Sequence, residues 1–125
     1  PFQFKEMLSS ILGMEELVVE DIMIPTSEVI GININDTIKN AKHIIESSSY
    51  SLLPVYKDSI DGILGVLHLK DSHSFLNLLK EKDDFKSILM ETYFVSQSTT
   101  LIKQLSEFQK SERNIGMVVD EYGEI

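Results

Sequence analysis

The chain has 125 residues, of which 42% are apolar, 8% aromatic and 25% charged, a balance typical of one globular domain or of two small ones sharing a core. It contains no cysteine, which excludes thiol catalysis, cysteine-ligated zinc, Fe–S clusters and disulfides together. Eleven basic against twenty acidic residues leave a formal charge of −9 with Arg113 as the only arginine, so the clustered cations that neutralise nucleic-acid phosphates or grip an anionic membrane surface are missing.

From Lys5 to about Val18, Met7, Leu8, Ile11, Leu12 and Met14 recur at helical spacing and predict an amphipathic lead-in helix. The start at Pro1 has no basic n-region of a signal peptide, and the chain reads as a piece of something longer. Val19 to Pro25 is a short helical turn or an extended connector, with a boundary at Ile24 because Pro25 disfavours helix before it. Ile30, Ile32 and Ile34 alternate with Gly31 and Asn33, as in a half-buried strand over Val29 to Ile34. Asn35-Asp36 then caps a helix from Thr37 to about Ser48, whose face carries Ile38, Ala41, Ile44 and Ile45. Leu52 to Tyr56 is strand-like but holds Pro54, which predicts an edge strand or a bulge at that position. After a turn at Lys57-Asp58-Ser59, Gly62 to Leu67 reads as a strand buried on both faces. A helix from Lys70 to about Lys82 follows, and Lys82-Asp83-Asp84 reads as a linker. Beyond it, strand (Tyr93 to Val95), cap (Thr99-Thr100), helix (Leu101 to Arg113) and strand (Ile115 to Val119) recur in the same order, before a polar turn at Asp120-Glu121. No apolar run approaches the ~20 residues that span a bilayer.

The order is a repeat. A shift of 63 residues lays Ile38 on Leu101, Ile45 on Phe108 and Val55 on Val118, as expected for duplicated units that bury a face. The second copy stops where its third strand begins.

Catalytic signatures are missing: there is no nucleophile elbow, zincin helix, phosphate loop or dinucleotide fingerprint. The acid pairs Glu15-Glu16, Glu20-Asp21, Asp83-Asp84 and Asp120-Glu121 are sequence neighbours, which suits a solvated surface and not opposed general acid and base. His68, Asp71 and His73 have metal-ligand chemistry, yet Asp71 and His73 diverge by about 160° on a helix, so the three do not converge on one ion. Asp71 has two readings. It is a helix cap, or it is a ribose acceptor: a carboxylate in a strand-to-helix turn can take both hydroxyls of a nucleoside, beside a helix end that suits phosphate. Met7, Met14, Met23 and Phe108 read as core residues.

Val19-Glu20-Asp21-Ile22-Met23-Ile24-Pro25 resembles the opening motif of the tandem CBS domains in the CorC/HlyC/TlyC family of magnesium and cobalt efflux (hemolysin-like) proteins. Pro54-Val55-Tyr56, Asp61-Gly62-Ile63-Leu64-Gly65, Leu69-Lys70-Asp71, Glu107-Phe108-Gln109 and Met117-Val118-Val119-Asp120-Glu121-Tyr122-Gly123 extend the resemblance from about Glu15 to the end. It implies an α+β CBS pair: two strand-helix-strand-strand-helix units packed sheet to sheet, with a lead-in over 1–24, a first unit over 25–82 and an incomplete second unit over 83–125.

The resemblance further implies a regulatory, non-catalytic module that binds an adenine nucleotide, ATP or AMP, with Mg2+ where the nucleotide brings it, and no tightly bound metal. It implies a homodimer, a membrane transport domain and a C-terminal CorC/HlyC-type domain in the whole protein, and a location in the cytoplasm or on the cytoplasmic face of the inner membrane. No nucleic-acid partner is expected. The implied nucleotide contacts are Thr26, Val29, Leu53, Pro54, Val55, His68 and Asp71 in the first unit, and Tyr93, Val95 and Met117 in the second. The family pattern places a hydroxyl three residues before the aspartate, where this chain has His68, and arginines where it has Thr26 and Leu52. These changes remove positive charge, and so point to adenosine or AMP over ATP, or to an empty first site. Two other readings stand beside this one: a dimerisation module whose sites have decayed, and a divalent-ion sensor built on surface carboxylates.

Overall fold

The computed structural model describes residues 17–125, so the lead-in helix with Met7 and Met14 lies outside the described residues. The chain forms an α+β fold of two compact units, Thr26–Thr92 and 17–25 with Tyr93–Ile125.

In the unit Thr26–Thr92, strands β1 (Ile32–Asn33), β2 (Leu52–Lys57) and β3 (Ser59–His68) form a sheet in that order, β1 parallel and β3 antiparallel to β2. Helices α2 (Ile38–Ser47) and α3 (Ser72–Lys80) supply the other layer; the short helix α1 (Val19–Ile22) belongs to the other unit. The N-cap of α2 is Thr37, whose hydroxyl accepts the Asn40 N–H at 3.1 Å. Asp36, expected to share in the cap, instead accepts the Thr37 N–H at 2.7 Å and the Asn40 amide at 2.9 Å. Phe75, Ile32, Leu53, Leu67 and Val55 are fully buried and make the core with Ala41. Burial of each large side chain stabilises the fold by roughly 1.5–3 kcal/mol.

Three expectations need correction in this unit. Pro54 is on the central strand, not an edge, and the register shifts flank Tyr56, not Pro54. The proline is tolerated because its partner Val66 directs both backbone groups away from β2: its N–H donates to the Met90 carbonyl at 3.0 Å and its C=O accepts the Met90 N–H at 2.7 Å. The pair Pro54–Val66 therefore exchanges no bonds, and the missing N–H falls on the β1 side. There β1 is shorter than the predicted Val29 to Ile34, and Ile30 is 50% exposed. Lastly, the linker expected at Lys82-Asp83-Asp84 does not lead straight into the second unit: Phe85, Ile88 and Leu89 beyond it pack on this core, with Phe75 and Phe85 edge to face at 5.5 Å. Gly65 permits the crossing, since a Cβ there would lie 2.9 Å from both the Leu89 Cβ and the Met90 carbonyl oxygen.

In the other unit, β4 (Phe94–Ser96) and β5 (Met117–Val119) pair in parallel, with α4 (Leu101–Ser111) between them. Helix α1 is tied down by Val19 and Glu20, whose N–H groups donate to Thr99 and Gln97 carbonyls at 2.9 and 3.0 Å. Met23, expected in a buried connector, is 37% exposed because α1 ends at Ile22 and the chain runs extended to Pro25. Glu112 closes α4 in a left-handed conformation, φ 56°.

The repeat holds to the residue. Ile32 pairs with Val55 and Asn33 with Tyr56, while Val95 pairs with Val118 and Ser96 with Val119, each number raised by 63. The Thr37 cap recurs as Thr100, which accepts the Lys103 N–H at 3.3 Å.

Candidate functional site

Strand β3 ends at His68, turns through a 3-10 segment, Leu69–Asp71, and enters α3 at Ser72. The Leu69 N–H donates to the Ser51 carbonyl at 2.9 Å and holds this turn beside the start of β2. The Nδ1 of His68 accepts the Lys70 N–H at 3.1 Å, which is the work a hydroxyl in that position does. Asp71 occupies the N-cap of α3 with φ −99° and ψ 8°, half-buried. Its carboxylate makes no capping bond and takes no other hydrogen bond among the described residues. The plain-cap reading of Asp71 is therefore not realised: an anionic acceptor stands free at the positive end of a helix.

The remaining first-unit residues divide by depth. Thr26 is exposed at the start of a 3-10 turn, Thr26–Glu28, and Val29 is half-buried with its N–H on the Thr26 carbonyl at 3.3 Å. Pro54 is buried, and Leu53 and Val55 are 1% and 0% exposed, so their side chains fill the core and support the strand. A cavity of about 330 Å3 in this unit is lined elsewhere, by residues including Ile34, Ile38, Leu79, Lys82 and Phe85.

In the second unit, Tyr93 and Met117 are joined by the Met117 N–H donating to the Tyr93 carbonyl at 2.8 Å, and Val95 lies beside them on β4. Val95 and Met117 are core residues. The half-buried Tyr93 hydroxyl accepts from the buried amide of Gln104 at 3.2 Å, its ring meets Phe108 at 5.6 Å, and the Arg113 guanidinium lies 5.8 Å over it. Gln104 and Arg113 escaped the sequence reading. The signal for Gln104 was present, because the repeat sets it on the core position Ala41, where a polar residue needs a partner.

Among the described residues no group of three metal-binding side chains gathers, and His73 turns to the Asn77 amide at 3.3 Å. The pKa of Asp36 lies below the ordinary aspartate value, through its bond from Asn40 first and from the Thr37 N–H second. None of the helices among these residues is long and apolar enough to cross a membrane.

Residues 19–71 match the family model described as CBS domain. The crystal structure of a CBS-domain pair with bound AMP from Klebsiella pneumoniae superimposes with a TM-score of 0.72 at 35% identity, covering 88% of each chain. A second, the CBS domain of a bacterial CNNM/CorC family Mg2+ transporter in complex with ATP, gives 0.72 at 32% identity over 98% of this chain and 87% of the other. The inner membrane protein YfjD of Escherichia coli K12 is 37% identical over 97% of this chain. The chain spans only 29% of that relative's length.

Proposed function

The chain belongs to the CBS-domain family, in the branch shared with CorC- and hemolysin-type proteins, and on that premise we propose that it is a regulatory module that binds an adenine nucleotide. The observation that carries this is the free, half-buried carboxylate of Asp71, at the end of β3 and the head of α3. Ribose hydroxyls are donors, and a carboxylate acceptor without a partner is suited to them. The solved relatives with AMP and with ATP lend the reading its ligand class.

In the whole protein the module would act on an attached divalent-cation transport domain, on the cytoplasmic face of the inner membrane and as a homodimer. It needs no catalytic step: a nucleotide bound more tightly in one arrangement of the protein than in another shifts the population between them. The second reading is a dimerisation module without nucleotide. It is favoured by the exposed Thr26 and half-buried Leu52, which offer no cation to a phosphate chain.

Thermal stability against AMP, ADP and ATP, with and without Mg2+, separates the two. A ligand at a hundred times its Kd adds about 2.7 kcal/mol and raises the melting temperature visibly. The expected outcome is a shift that Asp71→Ala abolishes while the unliganded protein keeps its stability. No shift with any nucleotide would overturn the reading and leave the scaffold; a shift that survives Asp71→Ala would move the site to the second unit.

A further inference from the structure

We infer that the cavity at the start of α2 is a docking seat for an extended segment of a partner protein, carrying β-branched apolar residues followed by an acid and adding to the chain as an antiparallel strand. The inference is independent of the nucleotide reading. It starts from the matching seat in the second unit, which the chain fills itself.

There the segment Leu17–Glu20 runs antiparallel to 97–101, with a bridge between Val18 and Thr100. The Val19 N–H donates to the Thr99 carbonyl at 2.9 Å, the Glu20 N–H to the Gln97 carbonyl at 3.0 Å, and the Leu17 carbonyl accepts the Leu101 N–H at 2.9 Å. Val19 is buried by this docking, at 7% exposure. The 63-residue offset sets Gln97, Thr99 and Leu101 on Ile34, Asp36 and Ile38, and the docked Leu17, Val19 and Glu20 on Lys80, Lys82 and Asp83. Those six counterparts all line the 330 Å3 cavity of the first unit. None of the three bonds recurs among them.

The reason lies in how α3 ends. The Glu81, Lys82 and Asp83 N–H groups turn back to the Asn77, Leu79 and Leu78 carbonyls at 3.0, 3.2 and 2.9 Å, with Lys82 left-handed at φ 57°. A segment closing its own helix in this way does not lie along the seat. The Ile34 and Asp36 carbonyls and the Ile38 N–H are left without a protein partner among the described residues. The turn that carries them is the same in both units, since the Asp36 N–H donates to Asn33 as the Thr99 N–H does to Ser96. Two acceptors and one donor in that arrangement are what an added strand bonds to.

The lining indicates the chemistry of the occupant. Ile34, Ile38, Leu79 and Phe85 are half-buried and apolar, and suit a side chain in the place of Val19. β-Branched residues favour the extended backbone that the bonds require. Lys80 and Lys82 are exposed and form no ion pair among the described residues, whereas Asp36 and Asp83 already accept the Thr37 and Asp84 N–H groups at 2.7 and 2.8 Å. The unpaired charges at the cavity are cations, which complement an acid after the apolar residues.

The test uses a blocked peptide with the sequence of residues 17–22, Leu-Val-Val-Glu-Asp-Ile, titrated into the protein and followed by amide NMR. Saturable shifts at Ile38 and Lys82 are expected, with a Kd below about 1 mM. The peptide N-methylated at the position of Val19 lacks the N–H for the Asp36 carbonyl and should bind at least about tenfold more weakly. The peptide carrying Glu20→Gln and Asp21→Asn should lose about threefold or more, a difference that high salt removes. On the protein, Ile38→Pro takes away the N–H at the first helical position, where proline is tolerated, and should weaken the peptide about tenfold. Ile38→Val should stay within about threefold of the parent. Absence of shifts at Ile38, or equal binding of the N-methylated peptide, overturns the inference. Shifts confined to Val19 and Leu101 also overturn it, because the peptide has then replaced the chain's own segment in the second unit. Ile38 shifts that follow protein concentration without peptide would make a second copy the occupant and overturn the assignment to a partner.

Discussion

In the unit Thr26–Thr92 the Ala41 N–H donates to Thr37 at 3.0 Å, Ile34 to Tyr56 at 2.9 Å and Asp36 to Asn33 at 3.0 Å. In the other unit the same three bonds run from Gln104 to Thr100, Gln97 to Val119 and Thr99 to Ser96, at 3.0, 3.0 and 3.2 Å. The backbone plan is thus copied while the side chains that fill it are not. Any residue but proline supplies an N–H and a C=O, so the plan survives almost any substitution. Packing does not, and it has been re-solved in each copy. Leu53 belongs to the first core and Ile45 is packed against that core, where the second unit has Gly116 and Phe108. A Cβ on Gly116 would lie 2.7 Å from Val95 and 3.4 Å from the Phe108 ring, so the small residue makes room for the large one. Ala41 becomes Gln104, which needs the Tyr93 hydroxyl that the counterpart Ile30 lacks.

The largest test of this asymmetry is truncation of the cores. Phe75→Ala should destabilise by about 3–5 kcal/mol, and Phe108→Ala, at a half-buried ring, by clearly less; equal losses in urea unfolding would contradict the contrast. Next comes proline exchange. Met117→Pro removes the N–H that donates to Tyr93 and should cost about 1–3 kcal/mol. Pro54→Ala, at the matching position, removes no bond and should change stability by less than about 1 kcal/mol. A large loss at Pro54 would mean that the ring packs more than the account allows.

A smaller effect is expected from the polar pair unique to the second unit. Tyr93→Phe should cost about 1 kcal/mol, and a double-mutant cycle with Gln104→Ala should return a coupling of at least about 0.5 kcal/mol. Zero coupling would show that Gln104 is satisfied otherwise. The smallest concerns Asp36, whose counterpart in the second unit is Thr99. Its folded pKa lies below the ordinary 3.8, so it favours folding above that value and ceases to as pH falls through the lower folded one. The stability deficit of Asp36→Ala should therefore be steady near neutrality and shrink in acid below pH 3.8. A deficit independent of pH would assign it to something other than the charge.

Much of this was legible beforehand because it is local. Thr37 and Thr100 announce helix starts, the spacing of Ile38, Ala41, Ile44 and Ile45 gives α2 its buried face, and the 63-residue offset is visible in the apolar positions alone. Of the candidate site, the segment Gly65 to Asp71 could be read as a strand running into a helix, and Asp71 singled out as its unusual member. What was not legible is which groups would find partners. Whether Asp71 caps its helix or stands free depends on φ and ψ at one residue, and the use of the His68 ring depends on where the Lys70 N–H points.

By itself, then, the sequence determined the family, the helices and the register of the repeat, since caps, periodicity and motif spacing act within a few residues along the chain. Only the tertiary structure decided that Pro54 could sit in a central strand, that 83–92 closes the first core, and that Gln104 would be buried with a partner. Each of those rests on residues distant in sequence: Met90 drawing off both bonds of Val66, Phe75 receiving the edge of Phe85, and Tyr93 meeting α4 across the strand-to-helix turn. Local pattern carries no information on such pairings, because what satisfies a backbone group or fills a core is whichever neighbour the whole fold brings there.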